Sequence, residues 1–261
     1  MKKRTDILLL FPSLAGFTTF FLVPLLYIFY YAFTENAFSH TFVGLQNFYD
    51  LFTNGYFRLA MTNTGLFALI AVPLTMVLSL CIALAIATFG TRLPFVRSAF
   101  FLPVLLPSAT IVLLWNAYFA EVPPFPSLLI IYLWKYGGLN VMLLLTALAG
   151  VEKDMLEAAK IDGCGGLRRV WHVLLPNITP TLFFTLTLSI VNALKIFRES
   201  YLLYGAYPDD SVYMLQNYMN NHFAKLNYQN ISTAAILFGI VVYTVVAVLF
   251  ACERKWSERI W

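Results

Sequence analysis

The sequence predicts an all-α integral membrane protein of six transmembrane helices, with a helix-turn-helix outside the membrane between the fourth and fifth. Three observations predict it. The chain of 261 residues is 60% hydrophobic, 17% aromatic and only 11% charged, too apolar for one soluble core of this length. Apolar runs long enough for a spanning helix, about 20 residues each, fall at about 7–33, 62–88, 98–120, 125–150, 180–204 and 231–252. Lysine and arginine are concentrated in alternate connections between those runs. The whole chain, 1–261, reads as one transmembrane domain, with residues 151–179 outside the membrane.

The first run follows Met1-Lys2-Lys3-Arg4. That flank is like the n-region of a signal peptide, but the apolar stretch is too long and lacks a small-residue cleavage site, so it reads as a retained helix. Arg92 and Arg97 lie between the second and third runs, Lys153, Lys160, Arg168 and Arg169 between the fourth and fifth, and Arg254, Lys255 and Arg259 in the tail. The positive-inside rule puts all of these, and both termini, in the cytoplasm. The opposite connections carry Arg58 and Lys225 with Glu35, Asp50, Glu121, Asp209 and Asp210. Topology therefore accounts for the net charge of +4, which gives no support for nucleic-acid binding.

The chain carries no phosphate loop of the GxxxxGK[ST] type, no HExxH and no GxSxG. Gly163-Cys-Gly-Gly166 follows a predicted helix and reads as a turn. Cys81, Cys164 and Cys252 have no CxxC or His-spaced partner, and His40, His172 and His222 lie too far apart in sequence and topology to ligate one metal. No catalytic residue, cofactor site or metal site is expected in this chain, so work against a gradient needs energy from elsewhere.

The polar connection after the fourth run is richer. Glu152 to Ala159 are good helix formers, Asp162-Gly163 is a turn signal, and Leu167 to Leu175 resumes a helical pattern that Pro176 is expected to end. Ala158 and Ala159 beside Gly163 form a small face that lets another backbone approach, and Glu157, Arg168 and Arg169 can set register across such a contact. An amphipathic loop resting on lipid headgroups fits the same pattern.

Polar residues inside the spans are the clue to a pathway, because a charge at mid-span costs roughly 2.5–3.5 kcal/mol on insertion scales and faces a cavity or a partner. Lys195 and Glu199 are four apart, at the spacing of a salt bridge on one helical face, with Asn192 and Arg198 near the same stripe. The stripe reads either as pathway lining or as a cluster holding helices together. Lys135 follows Trp134 and precedes Gly137-Gly138 and Asn140, glycines expected to loosen that helix, and an aromatic beside donors suits sugar stacking. Trp134 as a membrane-boundary anchor is the other reading. From Ser211 to Leu226, Val212, Leu215, Met219, Phe223 and Leu226 alternate with Gln216, Asn217, Asn220 and Asn221, predicting an amphipathic helix on the outer surface.

The string EAAKIDGCGGLRRVWHVLLPNITP, from Glu157 to Pro180, resembles the signature of ABC-importer permeases, with Glu157, Ala158, Ala159, Asp162, Gly163, Leu175, Pro176 and Pro180 on matching positions. Phe11-Pro12-Ser13-Leu14, Pro24-Leu25, Val43-Gly44-Leu45-Gln46-Asn47-Phe48, Asn63-Thr64 and Phe101-Leu102-Pro103 are similar to the carbohydrate-uptake branch, that of the maltose and glycerol-phosphate importers. The resemblance implies a type I ABC-importer permease fold in a prokaryotic inner membrane. It implies that the helix-turn-helix is a coupling element inserting into a cytoplasmic ATPase, with Glu157, Ala158, Ala159, Asp162, Gly163, Leu175 and Pro176 at that contact. The implied partners are two ATPase subunits carrying ATP and magnesium, a second related permease that completes the pathway, and an external substrate-binding protein delivering a sugar or oligosaccharide. A polyol, glycerol phosphate or acidic saccharide is the nearest alternative cargo; a secondary transporter fits less well, because no inverted repeat or acidic relay is present. The chain departs from the family's habits at Cys164 and Val170, in the short connection Phe119 to Pro124, and in the turn Tyr204-Gly205-Ala206-Tyr207-Pro208, which keeps few glycines.

Overall fold

The computed structural model describes residues 2–36, 41–89 and 94–260. Met1, His40 and Arg92, and the side chains of Lys2, Lys3, Arg4, Arg97 and Arg259, lie outside the described part. The described residues form α1 (Lys2–Phe17), α2 (Val23–Ala32), α3 (Gln46–Thr53), α4 (Gly55–Phe89), α5 (Pro94–Leu105), α6 (Ser108–Phe119), α7 (Pro124–Ala149), α8 (Lys153–Ile161), α9 (Gly166–Arg169), α10 (Leu175–Leu194), α11 (Phe197–Tyr204), α12 (Leu215–Ala224) and α13 (Tyr228–Ile260). Five stretches are long and apolar enough to cross a membrane: Leu10–Ala32, Gly55–Thr88, Pro124–Ala149, Gly166–Tyr204 and Tyr228–Trp256. A sixth is a pair, Ala99–Leu105 and Ser108–Phe119, bent by 110°.

The bend corrects the expectation of one helix over 98–120. Pro107 has no N–H to continue the ladder and disfavours helical geometry at Leu106; its own ψ of 142° is extended, and α6 restarts at Ser108.

Residues 1–60 with 215–243 make one compact unit. There α1 runs into α2 through a π turn, Thr18–Leu22, in which the amide of Val23 reaches back to the carbonyl of Thr18. The wider turn precedes Pro24, whose ring collides with the carbonyl four residues back in a regular helix. After the helix, Thr34 and Phe42 pair as an isolated antiparallel bridge, and the Asn47 amide donates to the carbonyls of Ala32 and Thr34 at 2.9 Å each. Asn54 caps α4, its Oδ1 accepting from the amide of Phe57 at 3.0 Å. Phe57 packs edge-on against Tyr218 of α12, with ring centroids 5.5 Å apart.

α12 is a helix, as its sequence predicts, but the buried face differs. Leu215 is buried together with Asn217, Tyr218 and Asn221, whereas Phe223 and Leu226 are exposed. The side chains needing hydrogen-bond partners go inward, so an apolar stripe laid on lipid is not what this helix presents. His222 stacks beside Tyr218, and partial burial, with Lys225 adding to it, holds its imidazole below the ordinary histidine value.

Residues 61–214 with 244–261 make the second unit. One apolar cluster joins Phe67, Ala71 and Val72 of α4, Leu128, Tyr132 and Tyr136 of α7, and Ala193, Ile196, Val212 and Met214. A second, toward the other end of α7, joins Ala83, Leu144, Leu145, Leu148, Val151 and Ile178. Asn63 donates to the carbonyls of Asp210 and Tyr213 at 2.6 and 3.0 Å, tying the 3₁₀ turn Asp210–Val212 to α4. Hydrogen bonds from Ser211 hold the Asp209 carboxyl in that turn below the ordinary carboxylate value.

α7 is unbroken through Gly137 and Gly138, so the glycines do not loosen it. They serve packing instead. The Gly137 carbonyl accepts from Ser79 Oγ at 3.1 Å, and a Cβ at Gly138 would overlap the backbone carbonyl of Phe100 in α5. Gly138→Ala is therefore expected to cost about 3 kcal/mol, at the upper end for overpacking because the obstacle is backbone. Gly137→Ala, whose Cβ would meet only Ser79 Oγ at 3.7 Å and Thr75 Cγ2 at 4.0 Å, is expected to be tolerated. Thermal melts of the two variants in detergent check the difference; equal melting temperatures would contradict it.

Candidate functional site

The spans bring three charged or hydroxylic side chains together in the interior of the second unit. Lys135 of α7 donates to Glu199 Oε1 at 2.5 Å and to Ser108 Oγ at 3.0 Å, and Ser108 Oγ donates to the same carboxylate oxygen at 2.6 Å. Glu199 is fully buried, Lys135 and Ser108 nearly so. Lys135 also lies over the Tyr136 ring, 5.2 Å from its centroid. Ser108 opens α6 and Glu199 sits in the first turn of α11, so two helix N-termini turn their positive dipole ends toward the carboxylate. The other oxygen, Oε2, is buried without a hydrogen-bond partner.

This arrangement corrects the expected Lys195–Glu199 pair. An α-helix places residues four apart about 40° from each other around its axis, but a 3₁₀ helix places them about 120° apart. Where α10 passes into α11 the chain turns more tightly than an α-helix: the amides of Lys195, Ile196, Arg198 and Glu199 bond to the carbonyls of Asn192, Ala193, Lys195 and Ile196, each three residues back, before the four-residue bond of Ser200 to Ile196 resumes. Glu199 is thereby turned inward to Lys135, while Asn192 (half-buried), Lys195 and Arg198 (both exposed) follow the three-residue spacing of one stripe. Lys195 and Arg198 make no side-chain hydrogen bond or ion pair among the described residues.

Trp134 and Lys135 do not share a site. Lys135 faces the buried carboxylate, whereas Trp134 is half-exposed and lines a groove of about 300 Å³ with Thr75, Ser79, Phe100, Gly137 and Gly138. Asn140 points to neither; it is buried and donates to Ser189 Oγ at 2.7 Å. The Tyr132 hydroxyl donates to the Ser189 carbonyl at 2.6 Å, so these two contacts fasten α7 to α10. Ser108 and Ser189 were not legible from sequence as partners: Thr110 lies beside the one and Thr185 and Thr187 beside the other, and only the tertiary contacts single them out.

The helix-turn-helix forms from α8, a turn and α9. Gly163, at φ +69°, ends α8 in a Schellman motif: the amide of Cys164 bonds to the carbonyl of Ala159 at 2.9 Å and that of Gly163 to Lys160 at 3.1 Å. A Cβ at Gly163 would meet nothing within 4 Å, so its requirement is the left-handed backbone and not space. Glu157, Ala158, Asp162 and Gly163 are exposed, together with Ile161, Leu167 and Trp171 at 86%, 78% and 65%. Ala159 is buried, which removes it from the small face expected of the Ala158–Ala159 pair.

Pro176 does not end the second limb. The stretch Gly166–Tyr204 is continuous, because a π turn at Val170–Leu174 lets the amide of Leu175 bond to the carbonyl of Val170, and Pro176 falls in the first turn of α10 where its missing donor is tolerated. Leu175 and Pro176 are half-buried at this junction. The exposed turn is thus mechanically joined to the spanning helix that carries Glu199.

Among the described residues there is no group of histidine, cysteine, aspartate or glutamate side chains able to hold a metal. The chain is 25% identical over 286 residues to the arabinooligosaccharides transport system permease protein AraP of Bacillus subtilis (strain 168), covering 98% of this chain and 89% of the relative. It is 26% identical over 255 residues to the multiple sugar-binding transport system permease protein MsmF of Streptococcus mutans serotype c, covering 88% of each. In fold it is similar to a chain in the crystal structure of a bacterial alginate ABC transporter in complex with alginate pentasaccharide-bound periplasmic protein, with a TM-score of 0.79 and 21% identity over 98% of this chain and 96% of that one. The family described as "Binding-protein-dependent transport system inner membrane component" matches residues 79–259, more than half of the chain. The folded spans, the exposed turn and this match agree: the chain belongs to the family of inner membrane components of binding-protein-dependent transport systems, as a multi-pass permease subunit.

Proposed function

We propose that this permease forms half of the pathway of an ATP-driven importer for a sugar or oligosaccharide. The observation that carries the reading is the exposed turn around Gly163, an apolar and charged surface outside the spans yet continuous with one of them. Two curated relatives matched over most of their length, AraP and MsmF, are named as permeases of arabinooligosaccharide and multiple-sugar transport systems, which supports the cargo class. On this reading both termini and the turn are cytoplasmic, and Glu157, Ala158, Asp162 and Gly163 dock on an ATPase that binds ATP and magnesium. Ala159, Leu175 and Pro176 shape that element from behind. A second permease completes the pathway, with Trp134, Asn192, Lys195 and Arg198 lining this half. An external binding protein delivers the solute; ATP closes two ATPase subunits, the turn moves as a lever, and hydrolysis resets the pathway.

Lys195 and Arg198, exposed without an acidic partner among the described residues, favour a carboxylate-bearing saccharide as the second reading of the cargo. Uptake of labelled oligosaccharides, neutral and acidic, by cells with and without the chain tests both. Uptake is expected to need the chain, to persist when the proton gradient is collapsed with ATP maintained, and to stop when ATP is depleted. Uptake that collapses with the gradient alone would overturn the importer reading.

A further inference from the structure

Glu199 is held by Lys135, but it is the spacing of its own helix that leaves it there. Four hydrogen bonds between residues 192 and 199, in two pairs on either side of Phe197, span three residues instead of four. Lys195 has φ −90° and ψ 0°, and Ile196 has φ −63° and ψ −14°, both within the helical region, so rewinding this turn to α geometry needs small dihedral changes and crosses no forbidden backbone. Rewinding turns Glu199 toward the about 40° that an α-helix sets between residues four apart, which brings it and Lys195 onto one face at salt-bridge spacing. Lys195 is exposed and makes no hydrogen bond or ion pair now, and Glu199 Oε2 is buried without a donor. A carboxylate with a free acceptor oxygen therefore has a second, unoccupied cation one helical turn away. Short 3₁₀ stretches within longer helices often mark hinges.

We infer that Glu199 exchanges its partner from Lys135 to Lys195 when the 192–199 turn rewinds from 3₁₀ to α, making Lys195 a positioning residue for the second state of this span. The carboxylate stays paired throughout, so the move strands no buried anion; its cost falls on Lys135, which loses its counter-ion and makes the second state the minor one at rest. In the second state Lys135 retains the Ser108 hydroxyl and the face of Tyr136. The exchange releases α11 from α6 and α7 at one point, on a span continuous with the exposed turn around Gly163. Its part in transport rests on the importer reading above, but the exchange itself can be read without any solute or ATPase activity.

The test is a double-mutant cycle on the full chain, extracted in mild detergent with whatever subunits accompany it, and followed by thermal melting. Lys195→Gln alone is expected to leave the melting temperature unchanged. Lys135→Gln is expected to be milder than Glu199→Gln, because Lys195 takes over the carboxylate. The Lys135→Gln/Lys195→Gln double variant is expected to lose about 5 °C more than the sum of the single changes, or to fail to fold while both single variants fold. Lys135→Gln/Lys195→Arg is expected to recover that extra loss. Additive single effects, a Lys135→Gln variant as damaged as Glu199→Gln, or no rescue by arginine would each overturn the exchange. None of these outcomes depends on which solute is carried, so failure of the sugar reading in the uptake assay is separable from failure here.

Discussion

Glu199→Gln is expected to destabilise the protein by about 3–5 kcal/mol, the range for stranding one member of a buried ion pair. The carboxylate is fully buried and takes donors from Lys135 and Ser108. Glutamine keeps its size and can still accept from Ser108, so the loss isolates the charge. It leaves Lys135 buried against one hydroxyl and one aromatic ring. The pair as a whole is a different matter. Desolvating both ions offsets most of their attraction, so Lys135→Met with Glu199→Leu is expected to melt within about 1 kcal/mol of the parent or above it. Melting curves of the two variants in the same detergent decide the point. A mild Glu199→Gln would mean that water reaches the carboxylate, and a paired apolar variant as damaged as the single one would mean that the cluster specifies the packing of α6 and α11 and does more than balance charge.

Glu157→Lys is expected to lower solute uptake at least tenfold, about 1.4 kcal/mol or more of lost coupling, with insertion and melting unchanged. Glu157 is exposed in the middle of α8 and makes no hydrogen bond or ion pair among the described residues, so its reversal costs the chain itself little. Any loss must therefore pass through a partner. Gly163→Asp is expected to act on the same function by another route. Nothing lies within 4 Å of a Cβ there, but φ +69° is strained for most side-chain-bearing residues, at roughly 1–2 kcal/mol, and the turn that presents the docking face shifts. Gly163→Asn, more tolerant of the left-handed region, is expected to be the milder substitution. ATPase activity without uptake in the membranes of both Glu157→Lys and Gly163→Asp is the expected signature of uncoupling; normal uptake in both would defeat the docking role proposed for this turn.

The sequence by itself determined that the chain is an all-helical membrane protein, because composition and the length of apolar runs answer to the bilayer and not to any particular neighbour. It also located the Gly163 turn, since a left-handed helix end is a local requirement that glycine announces. The third span was legible as apolar but not as bent: its hydropathy is continuous, and the break comes from Pro107, which hydropathy does not register. Pro176 misled in the opposite sense, because a π turn just ahead of it absorbs the missing donor.

Only the tertiary structure decided which charges pair. Lys195 and Glu199 have the spacing of a salt bridge under the assumption of 3.6 residues per turn, and packing winds that segment more tightly. The same tightening keeps Asn192, Lys195 and Arg198 in one stripe and sends Glu199 to Lys135, 64 residues earlier in the chain. Likewise α12 is periodic enough to be recognised, yet the inward placing of Asn217 and Asn221 is set by packing against neighbours that periodicity cannot see. Local rules fixed where helices begin, turn and cross; the low-dielectric interior, in which every charge needs a partner, fixed which faces meet.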